Sequence, residues 1–262
     1  MNETFAQIGI LGPALVAGLL VVLSHVPLGQ QVLRRGIVFI DLAIAQVAGL
    51  GVIAAQSEGL DLHGWKTQVA AVDAELLGAV LLTWTERRRP EVQEAQIGVL
   101  FVLASTAQIL LLANDPHGGE ALKDLLAGQI LWVSTEQLVR AAVVTVLFLA
   151  VWFRFRATLG TVGFYVAFSV MVTTSVQLVG VYLVFTTLIV PALAVYRHSR
   201  DRQLWLGYAL AFAAYAVGLG VSLVSDLPSS PVVVWAMALM GIGLHLTARA
   251  GNGGALREAA DG

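Results

Sequence analysis

Three carboxylates inside otherwise apolar stretches are the residues of this chain best suited to do chemistry. Asp41 is the one charged residue in the run Gly36–Gln56. A carboxylate at membrane depth is rare and generally faces a bundle interior or a water-filled path, where it can receive a cation. Asp41 is close to Gly36, so a second reading stays open, in which it sits at the boundary and pairs with Arg34 or Arg35. Asp73 and Glu75 fall in Thr67–Thr85, two residues apart and therefore on different helix faces. One can face a pathway while the other bonds a neighbouring helix; helix packing or the outer interface is the plainer reading. Gln46, about one turn beyond Asp41, either extends a polar stripe or joins two helices through its carboxamide. Asp41, Gln46, Asp73 and Glu75 are thus the candidate cation-handling residues.

Other chemistries lack their motifs. With no cysteine, thiolate metal sites, redox motifs and disulfides are excluded. There is no His-x-x-x-His or His-Glu-x-x-His, no nucleophile elbow and no phosphate-binding loop; Lys66-Thr67 follows Trp65 rather than glycine. The chain is expected not to be an enzyme and to hold no cofactor of its own. If ATP drives it, another chain binds the nucleotide. His25 and His245 lie near span ends and read as interfacial. Asp61 with His63, and Asp115 with His117, read as solvated loop pairs.

The elements that must position these residues are membrane helices. At 58 % hydrophobic and 12 % charged, the chain has too little charge to coat a water-soluble core. Apolar runs at Ile8–Pro27, Gly36–Gln56, Thr67–Thr85, Ala95–Ala113, Leu138–Trp152, Leu159–Leu178, Gly180–Tyr196, Gln203–Val224 and Val232–Ala248 predict an all-α polytopic membrane protein with about nine transmembrane helices. Alternating the connections places every Lys and Arg on one side except Lys66, Lys123 and Arg140. Basic residues mark the cytoplasmic face. The expected topology is therefore multi-pass in a bacterial inner membrane, with the N-terminus outside and the C-terminus cytoplasmic. The N-terminus has no basic segment, so the first run is read as a retained helix. Residues 1–250 form one transmembrane domain, and the Gly/Ala-rich 251–262 a flexible cytoplasmic tail. Net charge of −2 gives no reason to expect nucleic acid, whereas the arginine clusters can meet anionic lipid.

Two features break the pattern of plain spans. The outer segment Asn114–Gln137 contains Glu120–Ala127, apolar at helical spacing and stopped by Gly128, which predicts a short amphipathic helix at the surface. Near residues 175–184 two spans meet with Gly180 as the only breaker. This is either a broken or re-entrant element at membrane depth, or a tight helical hairpin.

Four separated segments resemble the ABC-3 family of membrane permeases, which serve bacterial zinc and manganese ABC importers. They are Pro27–Asp41, with Pro-Leu-Gly and Val-Leu-Arg-Arg; Ile97–Phe101 followed by Gly128–Ser134; Val179–Ala192; and Ser225–Ser229. Their order covers nearly the whole chain. The resemblance implies a fold of the ABC importer permease type and a second copy of the chain forming a pathway. It also implies a cytosolic ABC ATPase, an external solute-binding protein and a transported divalent cation. There are departures. The family's Asp matches Asp41, but the His expected four residues later is Ala45. Imidazole suits zinc, whereas carboxylate and amide oxygens suit harder ions such as manganese. The family's coupling segment to the ATPase corresponds to Phe153–Gly160, shorter and without acids; Arg154, Phe155, Arg156 and Gly160 are its candidate contacts. Gln129 stands where the family commonly has Asp. These departures leave two further readings: an importer permease for a metal chelate or other small solute, and a non-transporting scaffold or sensor.

Overall fold

The computed structural model describes residues 2–57, 65–112, 115, 118–128, 130–155 and 160–258, with side chains of the first ten and of those from 248 onward left aside. Ten α-helices follow one another: α1 (Asn2–Arg35), α2 (Ile40–Ser57), α3 (Trp65–Arg88), α4 (Gln93–Leu112), α5 (Gly118–Ala127), α6 (Thr135–Phe155), α7 (Gly160–Val179), α8 (Val181–Ala194), α9 (Arg200–Ser225) and α10 (Ser229–Glu258). Short 3₁₀ turns at Pro90–Val92 and Ile130–Trp132 lead into α4 and α6, and the described residues contain no strand.

Each apolar run of the sequence is helical, but the count of nine crossings is not carried by length and composition. Six described helices are long and apolar enough to cross a membrane: those containing Leu11–Arg35, Pro90–Leu112, Thr135–Phe155, Gly160–Val179, Arg200–Ser225 and Ser229–Thr247. The helices α2 and α8 are apolar but short; the 14 residues of α8 rise only about 21 Å against a hydrocarbon core of about 30 Å. The helix α3 has the length but carries Asp73 and Glu75 in its middle and charges at both ends. The protein is a polytopic helical membrane protein.

Packing divides the bundle in two. On one side α2 lies against α3 and α4, and α7 lies against α3. On the other, α1 packs on α8 and α9, and α10 packs on both of those helices. A Cβ at Gly29 would overlap the Leu188 carbonyl, so small residues let α1 and α8 touch backbone to backbone. Pro27 sits within α1 and donates no amide hydrogen, which frees the Leu23 carbonyl. The Tyr208 hydroxyl of α9 donates to that carbonyl at 3.1 Å. His25, expected at the interface, is instead fully buried one turn above this crossing. Its Nδ1 lies 2.9 Å from Ser24 Oγ and 3.1 Å from the Val21 carbonyl, because α8 and α9 cover that face of α1.

At the junction of α7 and α8 the break is a single residue. Gly180 has φ +82°, a conformation that side chains with a Cβ rarely adopt. Its backbone meets that of Gly128, the residue that ends α5, so closely that neither has room for a Cβ. Ser230 Oγ donates to the Val179 carbonyl at 3.3 Å, meeting one of the groups the break exposes. Helix α5 is amphipathic as its spacing predicts: Leu125 and Leu126 pack on the core while Lys123 and Asp124 are exposed. Through Gly128 it closes over the broken element.

Candidate translocation site

Asp41 occupies the first turn of α2, where the unpaired amides of a helix N-terminus favour negative charge. It is fully buried, and neither carboxylate oxygen has a hydrogen-bond partner. The pairing with Arg34 or Arg35 is not made. Arg34 donates to Gln203 at 3.1 Å, and Arg35 lies 3.7 Å from Glu86 and 4.2 Å above the Phe164 ring. The start of α2 is held instead by Glu94 of α4, which accepts from the Phe39 amide at 3.3 Å.

Of the two acids of α3, the structure turns Glu75 inward and Asp73 outward. Glu75 is fully buried with both oxygens unpartnered, while Asp73 is exposed. Close contacts of Gly51 with Ala70 and Ala74, and of Gly78 with Ile44 and Val47, fix the antiparallel register of α2 and α3. That register places Glu75 near the level of Ala48, about 10 Å along the bundle from Asp41. On the far side of α3, Gln93 Nε2 donates both to the Leu82 carbonyl and to the Tyr165 hydroxyl. This brings Thr173 of α7 to about the level of Glu75. Thr173 Oγ1 and Ser169 Oγ are likewise buried without partners. Asp41, Glu75, Ser169 and Thr173, on three helices that pack on one another, thus carry buried oxygen atoms that the protein itself leaves unmatched.

Gln46 is engaged elsewhere. Gln108 Nε2 of α4 donates to its side-chain oxygen at 2.9 Å and to its carbonyl at 2.7 Å. Its carboxamide joins two helices, which leaves Gln108 Oε1 as the free atom of the pair. Sequence reasoning missed Gln108, Gln93, Ser169 and Thr173. A lone glutamine in the apolar run Ile97–Leu112 was the available signal for Gln108. Among the described residues no three His, Cys, Asp or Glu side chains lie close enough to hold a metal ion together. Asp61, His63, His117 and Gln129 lie outside the described residues, and so does Arg156 of the coupling segment. Its neighbours Arg154 and Phe155 are exposed, the guanidinium 5.4 Å from the ring centroid, and Gly160 opens α7 with φ +58°.

The arginines gather at one end of the bundle. The Arg35–Glu86 contact ties the ends of α1 and α3, and one cavity is lined by Arg34, Arg35, Phe153, Gly160 and Arg200. Arg140, at the start of α6, pairs with Glu136 at 3.5 Å.

The polytopic helical bundle agrees with the family comparison, in which the model of the ABC 3 transport family matches residues 7–164 and 158–247. The chain belongs to the ABC 3 transport family. This ABC-3 permease is also similar in fold to the solved structure of PsaBC from Streptococcus pneumoniae in complex with Fab. The TM-score is 0.74 and the identity 20 %, over 93 % of this chain and 94 % of that one.

Proposed function

We propose that this permease is the membrane-spanning subunit of an ATP-binding-cassette importer for a divalent metal cation, zinc or manganese. Two copies form the translocation pathway, and nine helices of each cross the bacterial inner membrane with the arginine-rich end cytoplasmic. A cytosolic ATPase docks at that end through Arg154, Phe155, Arg156 and Gly160. An external binding protein delivers cargo at the opposite end, near α5 and the Ser225–Pro231 turn.

The observation that carries this reading is Asp41, a fully buried carboxylate without a partner on the segment that matches the family. An uncompensated carboxylate in a low-dielectric interior is costly, and a passing cation offsets that cost. Asp41 offers one transient oxygen ligand set, with Glu75 as a second station about 10 Å along the bundle. Gln46, through its bond to Gln108, holds that residue's free amide oxygen beside the path, and Asp73, on the exposed face, meets the second copy or the outer mouth. A conduit must hold its ion only weakly, since a site that binds tightly cannot release.

The test is uptake of radiolabelled zinc and manganese by cells carrying Asp41→Ala. We expect uptake to fall to background with unchanged amounts of folded protein; unchanged uptake would remove Asp41 from the mechanism. A second reading, a permease for a metal chelate or small organic solute, is favoured by Ala45 standing where the family has His. It predicts that a panel of labelled solutes finds a cargo other than the bare ion. The scaffold or sensor reading rests on the short, acid-free Phe153–Gly160 segment. Recovery of the tagged chain from native membranes without any ATPase would favour it.

A further inference from the structure

At the arginine-rich end, a cavity of about 570 Å³ opens between the end of α1, the end of α6, the start of α7 and the start of α9. Its polar wall is built from Gln30, Gln31, Arg34, Arg35, Arg200 and Asp201, three guanidiniums to one carboxylate. A second cleft of about 350 Å³ adjoins it and shares Gln30, Arg34 and Arg200. Arg34 is bonded to the neutral Gln203, and Gln30 Nε2 is buried without a partner. Arg35 is fixed over the Phe164 ring and only loosely opposed by Glu86. The rest of the wall is apolar or aromatic, with Trp152, Phe153, Leu204 and Trp205. Trp205 and Phe153 are among the most exposed large side chains at this end.

We infer that this cavity is a headgroup site for an acidic phospholipid of the leaflet on the arginine side. A phosphodiester accepts from the forked donors of Arg34 and Arg200 and from the unpartnered Gln30 amide. The glycerol and first methylenes of the lipid lie against Trp205, Leu204 and Phe153, as aromatic side chains do at the membrane interface. The helices that frame the cavity, α1, α6, α7 and α9, are all long and apolar enough to span, so it lies where headgroups lie. A soluble anion would have no use for the apolar wall. Basic pockets between helix ends on the cytoplasmic side are suited to anionic headgroups. The inference does not depend on the cargo; the cavity wall shares Gly160 with the proposed ATPase contact, so the lipid borders that docking face.

The experiment reconstitutes the full chain in nanodiscs of phosphatidylcholine containing phosphatidylglycerol in both leaflets. Lipid that stays bound after release into mild detergent is then counted by native mass spectrometry. Wild-type protein should retain phosphatidylglycerol in clear preference. Arg34→Gln with Arg200→Gln should weaken that retention about thirtyfold, near fivefold for each arginine. Arg87→Gln with Arg88→Gln, at the same end but outside the cavity, should leave it unchanged. If the glutamine variant fails to fold, Arg34→Lys with Arg200→Lys keeps the charge and loses the fork, with an expected weakening of about two- to fivefold. Equal loss in both glutamine pairs, or no preference over phosphatidylcholine, would overturn the site. Displacement of the lipid by millimolar inorganic phosphate would assign the cavity to a soluble anion. Loss of ATPase binding with lipid retention intact would assign it to a protein partner. Either result rejects the lipid. Because both leaflets carry the lipid, failure here leaves the transport reading standing, and failed metal uptake leaves this one standing.

Discussion

The two sides of the bundle treat buried polar groups in opposite ways. Where α1 packs with α8, α9 and α10, most are matched within the protein. Tyr208 meets the carbonyl freed by Pro27, and Thr187 Oγ1 lies 3.0 Å from the Tyr215 hydroxyl and bonds the Leu183 carbonyl. Ser230 meets the Val179 carbonyl at the helix break. Among the described residues, His25 Nε2, Gln30 Nε2 and His198 Nδ1 are the exceptions on that side. Among α2, α3, α4 and α7, both oxygens of Asp41 and Glu75 go unmatched, as do one oxygen each of Glu86 and Glu94, the hydroxyls of Ser105, Ser169 and Thr173, and the amide oxygens of Gln96 and Gln108. Bilayer hydrocarbon supplies no water, so a matched group holds helices together and an unmatched one raises the free energy until something enters. On the proposed function, the first side is a frame and the second is the side a passing cation would visit.

Substitutions can break or sharpen this contrast, and the largest effect is expected at the joint between the sides. Gly180→Val places a β-branched residue at φ +82° with its Cβ inside the Gly128 backbone. Folded, monodisperse protein should be nearly absent in detergent extracts, since such strain costs several kcal/mol once overlap is added to an unfavourable backbone conformation. Recovery at wild-type levels would mean the close approach is not needed for folding.

Glu75→Leu should separate function from stability. Replacing an unmatched buried polar group by an apolar one of similar size is neutral or stabilising, so the melting temperature should hold or rise. Uptake should nonetheless fall by about tenfold or more, the loss of one charged station on the path. A destabilised variant with proportionate uptake would show that Glu75 is structural after all.

Tyr208→Phe probes the frame. It strands the Leu23 carbonyl beside Pro27 and should cost about 1–3 kcal/mol, read as a lower melting temperature, with residual uptake following the amount of folded protein. Tyr215→Phe should be milder, about 0.6 kcal/mol, because Thr187 keeps its bond to Leu183. A transport defect in either variant beyond the loss of protein would dissolve the distinction between frame and path.

Parts of this arrangement were legible before folding. Asp41 stood out because charge is rare in an apolar run, and α5 because Leu125 and Leu126 alternate with Lys123 and Asp124 at helical spacing. The break at Gly180 could be seen as well, though a broken helix and a hairpin read alike along the chain. The number of crossings could not be read so simply. Apolar runs predict helices, but the 14 residues of α8 and the charged α3 show that a run need not span unaided. The link from Gln46 to Gln108 was invisible, since neither residue carries any mark of a partner 62 positions away.

The sequence by itself determined that this protein is a helical membrane bundle, that its arginines gather at one end, and that Asp41, Asp73 and Glu75 are its anomalies. These follow from local hydropathy and charge, which the bilayer reads segment by segment. Tertiary structure alone decided which anomaly is buried and which is matched. Asp73 and Glu75 differ only in the direction each faces around one helix, and only the packing of α2, α4 and α7 about α3 gives that direction a meaning. The same holds for Asp41: Arg34 and Arg35 were near it in the chain, but α9 and α3 took their side chains and left the carboxylate alone.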